Sequence, residues 1–319
     1  MNGRNPEFSI VLKNNNNQKY DSLNPKKLGI DTQTFKTLIT EDYLYVDKTK
    51  EILKLINDGR IYFLSRPRKF GKSLLVSTLK SLFSGEKELF KDLYIYDKWD
   101  WNENYTVIHL DMSDLDNSST EKLEVDLHET IDRIAESNNI TINKRISVRK
   151  KFSNLITDLY NLKGKKIVVL VDEYDAPILD NINDPKLVDT NRKTLERFYQ
   201  SLKTLDGCIK FILITGISKF IHASIFSKLN NPTDISLSNN YSTICGITKN
   251  EMNQYCGEHI QRFADKNNLH YDDALDEINR WYDGYSFDGK KRVFNPYSTL
   301  SALKEGKLSH YWFRTGTPH

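Results

Sequence analysis

The stretch Ile61-Tyr62-Phe63-Leu64-Ser65-Arg66-Pro67-Arg68-Lys69-Phe70-Gly71-Lys72-Ser73-Leu74-Leu75 decides how this chain is read. Its first four residues are apolar and predict a short buried strand. Over residues 73–83, Leu74, Leu75, Leu79, Leu82 and Phe83 keep to one helical face, which predicts a helix. Strand, loop, Gly-Lys-Ser and helix in succession is the setting of a phosphate-binding loop. There the backbone N–H groups and the helix N-terminus face an anion. In that role Lys72 reaches the β- and γ-phosphates of a nucleoside triphosphate, and the Ser73 hydroxyl ligates Mg²⁺. One position departs from the G-x-x-x-x-G-K-[ST] pattern: Arg66 stands where a glycine is asked for. Arginine takes a positive φ only at a cost, so Pro67 would set the turn differently through its own fixed φ. Gly-Lys-Ser alone also occurs as a surface turn entering a helix, so the rest of the chain must decide.

The decisive partner is Ile167-Val168-Val169-Leu170-Val171-Asp172-Glu173. Five apolar, mostly β-branched residues predict a strand buried on both faces of a parallel sheet. Two acids follow at its carboxyl end, where α/β proteins place their chemistry. Asp172 is positioned to hold Mg²⁺, through water or through Ser73. Glu173 can accept a proton from water attacking the γ-phosphate. An acidic cap after a core strand is the bland alternative. It loses ground because Gly71-Lys72-Ser73 lies about a hundred residues earlier. Residues 208–216 predict another buried strand, ending in Thr215-Gly216. Thr215 fits the place of a polar residue that senses the γ-phosphate, with Ser218 as the alternative and a plain turn as the bland reading.

Composition agrees with a soluble protein. The chain has 319 residues, 38% hydrophobic and 28% charged, with a formal net charge of +3. That length suggests about two domains, and the charge neither requires nor excludes nucleic acid. Cys208, Cys245 and Cys256 lack Cys-x-x-Cys spacing, which argues against a disulfide framework or zinc site and for a reducing compartment. No run approaches the roughly 18 apolar residues of a membrane span, and the N-terminus lacks an apolar signal core. A cytoplasmic location is expected.

Three segments are expected. Residues 1–27 read as a disordered leader with an asparagine run at 14–17. Residues 28–245 read as the α/β core and 246–319 as a small helical lid. Helices are expected over 118–138, 148–162, 189–205, 249–265, 271–281 and 297–303, with a capping box at Thr248-Lys249-Asn250-Glu251 and a turn-rich loop at 283–289. Asp47-Lys48-Thr49 reads equally as a helix cap or as a group near the nucleotide. His109, inside a predicted strand over 105–112, reads as a satisfied core histidine. Lys144, Arg145, Arg149, Lys150 and Lys151 read as a solvated face, with nucleic acid contact the lesser alternative.

Several motifs together resemble the AAA-ATPase-like proteins that usually precede a PD-(D/E)XK nuclease-like domain in one polypeptide. They are Tyr45-Val46-Asp47-Lys48-Thr49, Arg66-Pro67-Arg68-Lys69-Phe70-Gly71-Lys72-Ser73-Leu74, Val171-Asp172-Glu173-Tyr174-Asp175 and Thr215-Gly216-Ile217-Ser218-Lys219-Phe220. Further on come Phe226-Ser227-Lys228-Leu229-Asn230-Asn231, Tyr282-Asp283-Gly284-Tyr285 and Asn295-Pro296-Tyr297-Ser298, so the resemblance spans about residues 28–316. It implies that Arg-Pro-Arg with Phe-Gly-Lys-Ser is a form of the phosphate-binding loop. It also implies a P-loop NTPase fold of the additional-strand, AAA-like class: a three-layer α/β domain on a parallel sheet, with a helical lid. On this basis residues 66–74 are expected to bind ATP, Ser73 and Asp172 to hold Mg²⁺, and Glu173 and Thr215 to serve hydrolysis coupled to a conformational change. A nucleotide-gated switch, a scaffold without turnover and the ATPase half of a nucleic-acid-processing protein are the alternatives. A homo-oligomer is left open. No acid pair followed by Glu-x-Lys appears after Phe287, so DNA cleavage by this chain alone is not expected.

Overall fold

The computed structural model describes residues 25–143, 145–219, 225–226 and 232–314. Residues 1–24 of the expected leader lie outside them, as do Lys144, Phe220, the motif residues 227–231 and Gly316.

From the N-terminal side, α1 (Phe35–Thr40) and α2 (Thr49–Asp58) precede β1 (Ile61–Ser65), and α3 (Lys72–Phe83) follows it. Next come β2 (Val107–Asp111), α4 (Thr120–Ser137), α5 (Val148–Lys163) and β3 (Ile167–Asp172). Then α6 (Ala176–Leu179) and α7 (Pro185–Tyr199) lead to β4 (Ile209–Gly216) and β5 (Thr233–Asp234). The five strands form one parallel sheet in the order β2-β3-β4-β1-β5. Thus β4, late in sequence, lies between β1 and β3, in register from Ile61↔Ile212 to Ser65↔Gly216.

Every residue of β3 is buried, as its unbroken apolar run requires of a strand covered on both faces. Alternation divides the core into two layers. Phe63, Val169, Val171, Ile212 and Ile214 pack with α4, α5 and α7. Tyr62, Leu64, Val168, Leu170, Phe211 and Leu213 pack with α1, α2 and α3. Local signals set the boundaries. α7 starts at Pro185, four residues before its expected start. There the Asp184 carboxylate accepts the N–H groups of Lys186 and Leu187, both at 3.1 Å, and proline suits the first helical turn. The helix gives way to a 3₁₀ turn at Gln200.

The C-terminal part contains α8 (Lys249–Lys266), α9 (Tyr271–Tyr282), β6 (Tyr285–Ser286), β7 (Arg292–Val293) and α10 (Pro296–Glu305). The Thr248–Glu251 capping box forms. This part is not purely helical, because the expected loop closes as an antiparallel β6–β7 hairpin. Its turn is built by Asp288, which accepts the Lys290 and Lys291 N–H groups at 2.8 Å, and by Gly289 at φ 72°. Met252, Cys256, Ile260, Ile278, Phe294 and Leu303 make its own core, which also takes Leu28 from before α1.

Two readings change. Lys151 does not belong to the solvated basic face; it is 1% exposed and pairs with Asp132 at 2.7 Å. His109 is half-buried, but its Nε2 has no hydrogen-bond partner among the described residues. The three cysteines are free. Among the described residues no helix is long and apolar enough to cross a membrane.

Candidate functional site

At the carboxyl end of β1 the Arg66 N–H donates to the Gly216 carbonyl at 3.1 Å, so the loop leaves the sheet tied to β4. The left-handed turns fall at Lys69 (φ 66°) and Gly71 (φ 90°), whereas Arg66 takes no positive φ. A glycine at position 66 is therefore not needed for backbone freedom. Gly71 ends the loop immediately before α3, whose first turn carries Lys72 and Ser73. The Lys72 ammonium donates to the carbonyls of Arg66 (3.1 Å) and Pro67 (3.4 Å).

Arg66 corrects an expectation. Its guanidinium is turned away from the loop's open side, and the residue is only 1% exposed. It donates to the carbonyls of Ser65 (2.8 Å), Ser236 (2.6 Å) and Tyr241 (3.3 Å), and lies 3.8 Å from the centre of the Phe287 ring. Phe70 is likewise fully buried, against Tyr285 and Phe287. Arg68 and Lys69 remain as the loop's outward-facing cations.

The acid pair sits two strands away. Asp172 is 2% exposed and accepts a hydrogen bond from the Thr215 hydroxyl. Thr215, expected to sense the γ-phosphate, is itself 0% exposed. Glu173 takes a left-handed φ of 48°, a conformation that costs an L-residue roughly 1–2 kcal/mol. Burial raises the Glu173 carboxyl above the ordinary glutamate range. The Lys72 ammonium opposes this, while Asp172, Asp111 and Asp175 add to it.

The next two residues fasten this turn to β4. The Tyr174 N–H donates to the Thr215 carbonyl at 3.0 Å and its hydroxyl to the Ser218 carbonyl at 2.6 Å. Asp175 accepts the N–H groups of Ile217 (3.0 Å) and Ser218 (2.6 Å). Ser218 is thus committed through its backbone. A Cβ at Gly216 would lie 2.4 Å from the Tyr174 ring, so the close approach requires glycine.

A cavity of about 390 Å³ opens over the loop. Arg68, Lys69, Phe70, Gly71, Lys72, Ser73, Leu74 and Glu173 line it, whereas Arg66, Pro67, Asp172 and Thr215 do not. Its other half is largely apolar, from Tyr45, Ile247, Tyr297 and Leu300 among others. Sequence reasoning missed this half. Tyr45 and Tyr297 belong to the motifs quoted above, but nothing in their spacing points to a cavity.

Lys48 lines the cavity too. The Asp47 carboxylate accepts the Thr49 N–H at the start of α2 and the Tyr94 N–H. Lys48 bridges to Glu251 at 2.7 Å and to the Thr243 carbonyl at 2.9 Å.

Among the described residues no group of three or more His, Cys, Asp or Glu side chains could hold a metal. The Ser73 hydroxyl and the Asp172 carboxylate are hard oxygen donors of the kind Mg²⁺ takes when phosphates complete its shell.

Fold and site together have the layout of a P-loop-like α/β domain. The chain belongs to the predicted AAA-ATPase family, whose model matches residues 29–226. It is also similar to a protein of Azotobacter chroococcum mcd 1 called only an uncharacterized protein in the vnfD 5′ region. The two are 38% identical over 294 residues, 92% of this chain and 55% of the relative. This chain therefore spans about half the length of that relative.

Proposed function

We propose that the protein is an ATPase of the additional-strand class, binding ATP with Mg²⁺ and hydrolysing it at the cavity over α3. The observation that carries this reading is that Lys72, Ser73 and Glu173, from two separated strand ends, line one cavity. The strand order supports it, because β4 lies between the strand before the loop and the strand before the acid pair. In this reading the phosphates lie against the N–H groups of residues 68–73, at the N-terminus of α3. The nucleoside occupies the apolar half beside Tyr45, Ile247, Tyr297 and Leu300. Lys72 exchanges its loop carbonyls for phosphate oxygens. Glu173, held near Lys72, accepts the proton of the attacking water. Ser73 would hold the metal in the cavity, and Asp172, which lies outside the cavity lining, would act on it through water or through Ser73; the metal would neutralise phosphate charge. Thr215 orients the Asp172 carboxylate. Coupling to conformational change would pass through the C-terminal part, since that part supplies much of the nucleoside half of the cavity.

The test is equilibrium titration with ATP, ADP and adenosine, with and without Mg²⁺, at low and high salt. ATP should bind more tightly than ADP, both far more tightly than adenosine, and affinity should fall as salt rises. Equal affinity for ATP and adenosine, unchanged by salt, would show that the loop does not hold phosphates.

A further inference from the structure

The phosphate-binding loop does not stand free on β1. Three of its side chains are held by residues of the C-terminal part. Arg66 places its guanidinium 3.8 Å from the centre of the Phe287 ring. Phe70 meets Tyr285 edge-on at 4.7 Å and Phe287 at 5.5 Å. Lys69 places its ammonium 4.9 Å from the centre of the Tyr297 ring. Backbone contacts reinforce the same junction. The Gly246 N–H donates to the Phe70 carbonyl at 3.3 Å, and Ile247 exchanges backbone hydrogen bonds with Phe294 just after β7.

We propose that Phe287 is a positioning residue for the nucleotide site, and that the β6–β7 hairpin and the loop form one coupled unit. This rests on the reading that the loop binds a nucleotide. The hairpin ring covers Arg66 and Phe70 together, so it fixes both ends of the segment that presents Arg68 and Lys69 and leads into Gly71 and Lys72. Arg66 in turn donates to Ser236 and Tyr241, which ties the loop to the segment after β5. A cation packed on an aromatic face gains from the ring quadrupole as well as from burial. An aliphatic residue of similar size therefore fills the space without holding the guanidinium. Coupling is reciprocal: if the seated hairpin favours the binding-competent loop, nucleotide must favour the seated hairpin. The arginine at position 66 then has a use of its own, as the handle by which the C-terminal part grips the loop.

The experiment compares wild type with Phe287→Leu and Phe287→Tyr by ATP titration, with thermal unfolding recorded on each. Phe287→Leu should weaken ATP binding about tenfold or more while still unfolding cooperatively, and Phe287→Tyr should restore affinity. Wild-type affinity in a folded Phe287→Leu protein would overturn the proposal. If that variant does not fold, amide exchange on wild type decides. Saturating ATP should slow exchange in residues 285–293 as well as in 68–74, and Lys72→Ala should abolish both effects. Protection of 68–74 with no change at 285–293 would overturn the coupling and leave the nucleotide reading intact. Absence of any ATP binding by wild type would overturn both.

Discussion

The Thr215 hydroxyl donates its hydrogen bond to the Asp172 carboxylate, joining the carboxyl ends of β4 and β3. Both side chains are buried, so this contact fixes one carboxylate oxygen and leaves the rest of the group to be oriented by it. Thr215→Val keeps the shape and removes the donor. A hydrogen bond to a charged group contributes about 1.5–3 kcal/mol, so phosphate release should fall roughly 10- to 150-fold, whereas Thr215→Ser should stay near wild type. Equal rates for Thr215→Val and wild type would remove Thr215 from the site.

Gly216 tests the packing of the same strand end. An alanine Cβ would lie 2.4 Å from Tyr174 and 2.6 Å from an Asp175 oxygen. Overpacking of this kind costs about 1–3 kcal/mol. Gly216→Ala should lower the denaturation midpoint accordingly. An unchanged midpoint would mean that Tyr174 and Asp175 do not hold this turn rigidly.

Lys48 and Glu251 link the segment before α2 to the first turn of α8, and both side chains are largely buried. Removing one partner of a buried pair strands the other, at about 3–5 kcal/mol. Lys48→Met should therefore destabilise strongly. Lys48→Met with Glu251→Gln should lose less, since glutamine can still accept the Thr248 N–H. Equal losses in the single and double variants would show that the charge on Glu251 is not what the lysine compensates.

Stability should also depend on histidine. Burial lowers the pKa of His109, His128 and His259, with Lys80 adding to the effect at His109 and Lys151 at His128. A depressed folded pKa means that the unfolded chain binds more protons once pH drops below about 6.5. Stability is then fully present above that value and declines as pH falls towards the folded pKa values. The denaturation midpoint should be lower at pH 5.5 than at pH 7.5, and His109→Asn should reduce the difference. An identical pH dependence in that variant would remove His109 from the account.

The parts of this molecule legible in its sequence are those whose signal is local. The apolar run over residues 167–171 reads as a doubly buried strand because each residue lies between two helical layers. Gly71-Lys72-Ser73 reads as a helix start because the backbone freedom of glycine is needed there. Arg66 could not be read this way. Its place is set by carbonyls of Ser236 and Tyr241 and by the Phe287 ring, all more than 150 residues distant in sequence. The hairpin was hidden for a related reason, since each of its strands has two residues and no alternation can show in so short a run. The apolar half of the cavity draws on residues 29–52 and 244–300, which only the folded chain brings together.

The most direct test of the central claim sets Lys72→Ala beside Glu173→Gln, with ATP binding and phosphate release measured on each. Lys72 acts on bound phosphates, so its alanine variant should lose both binding and turnover. Glu173→Gln is nearly isosteric and removes the proton acceptor. It should bind ATP like wild type while turnover falls by about 10²–10⁴-fold, the usual contribution of a general base. Wild-type turnover in Glu173→Gln, or ATP binding by wild type with no phosphate release, would contradict the account.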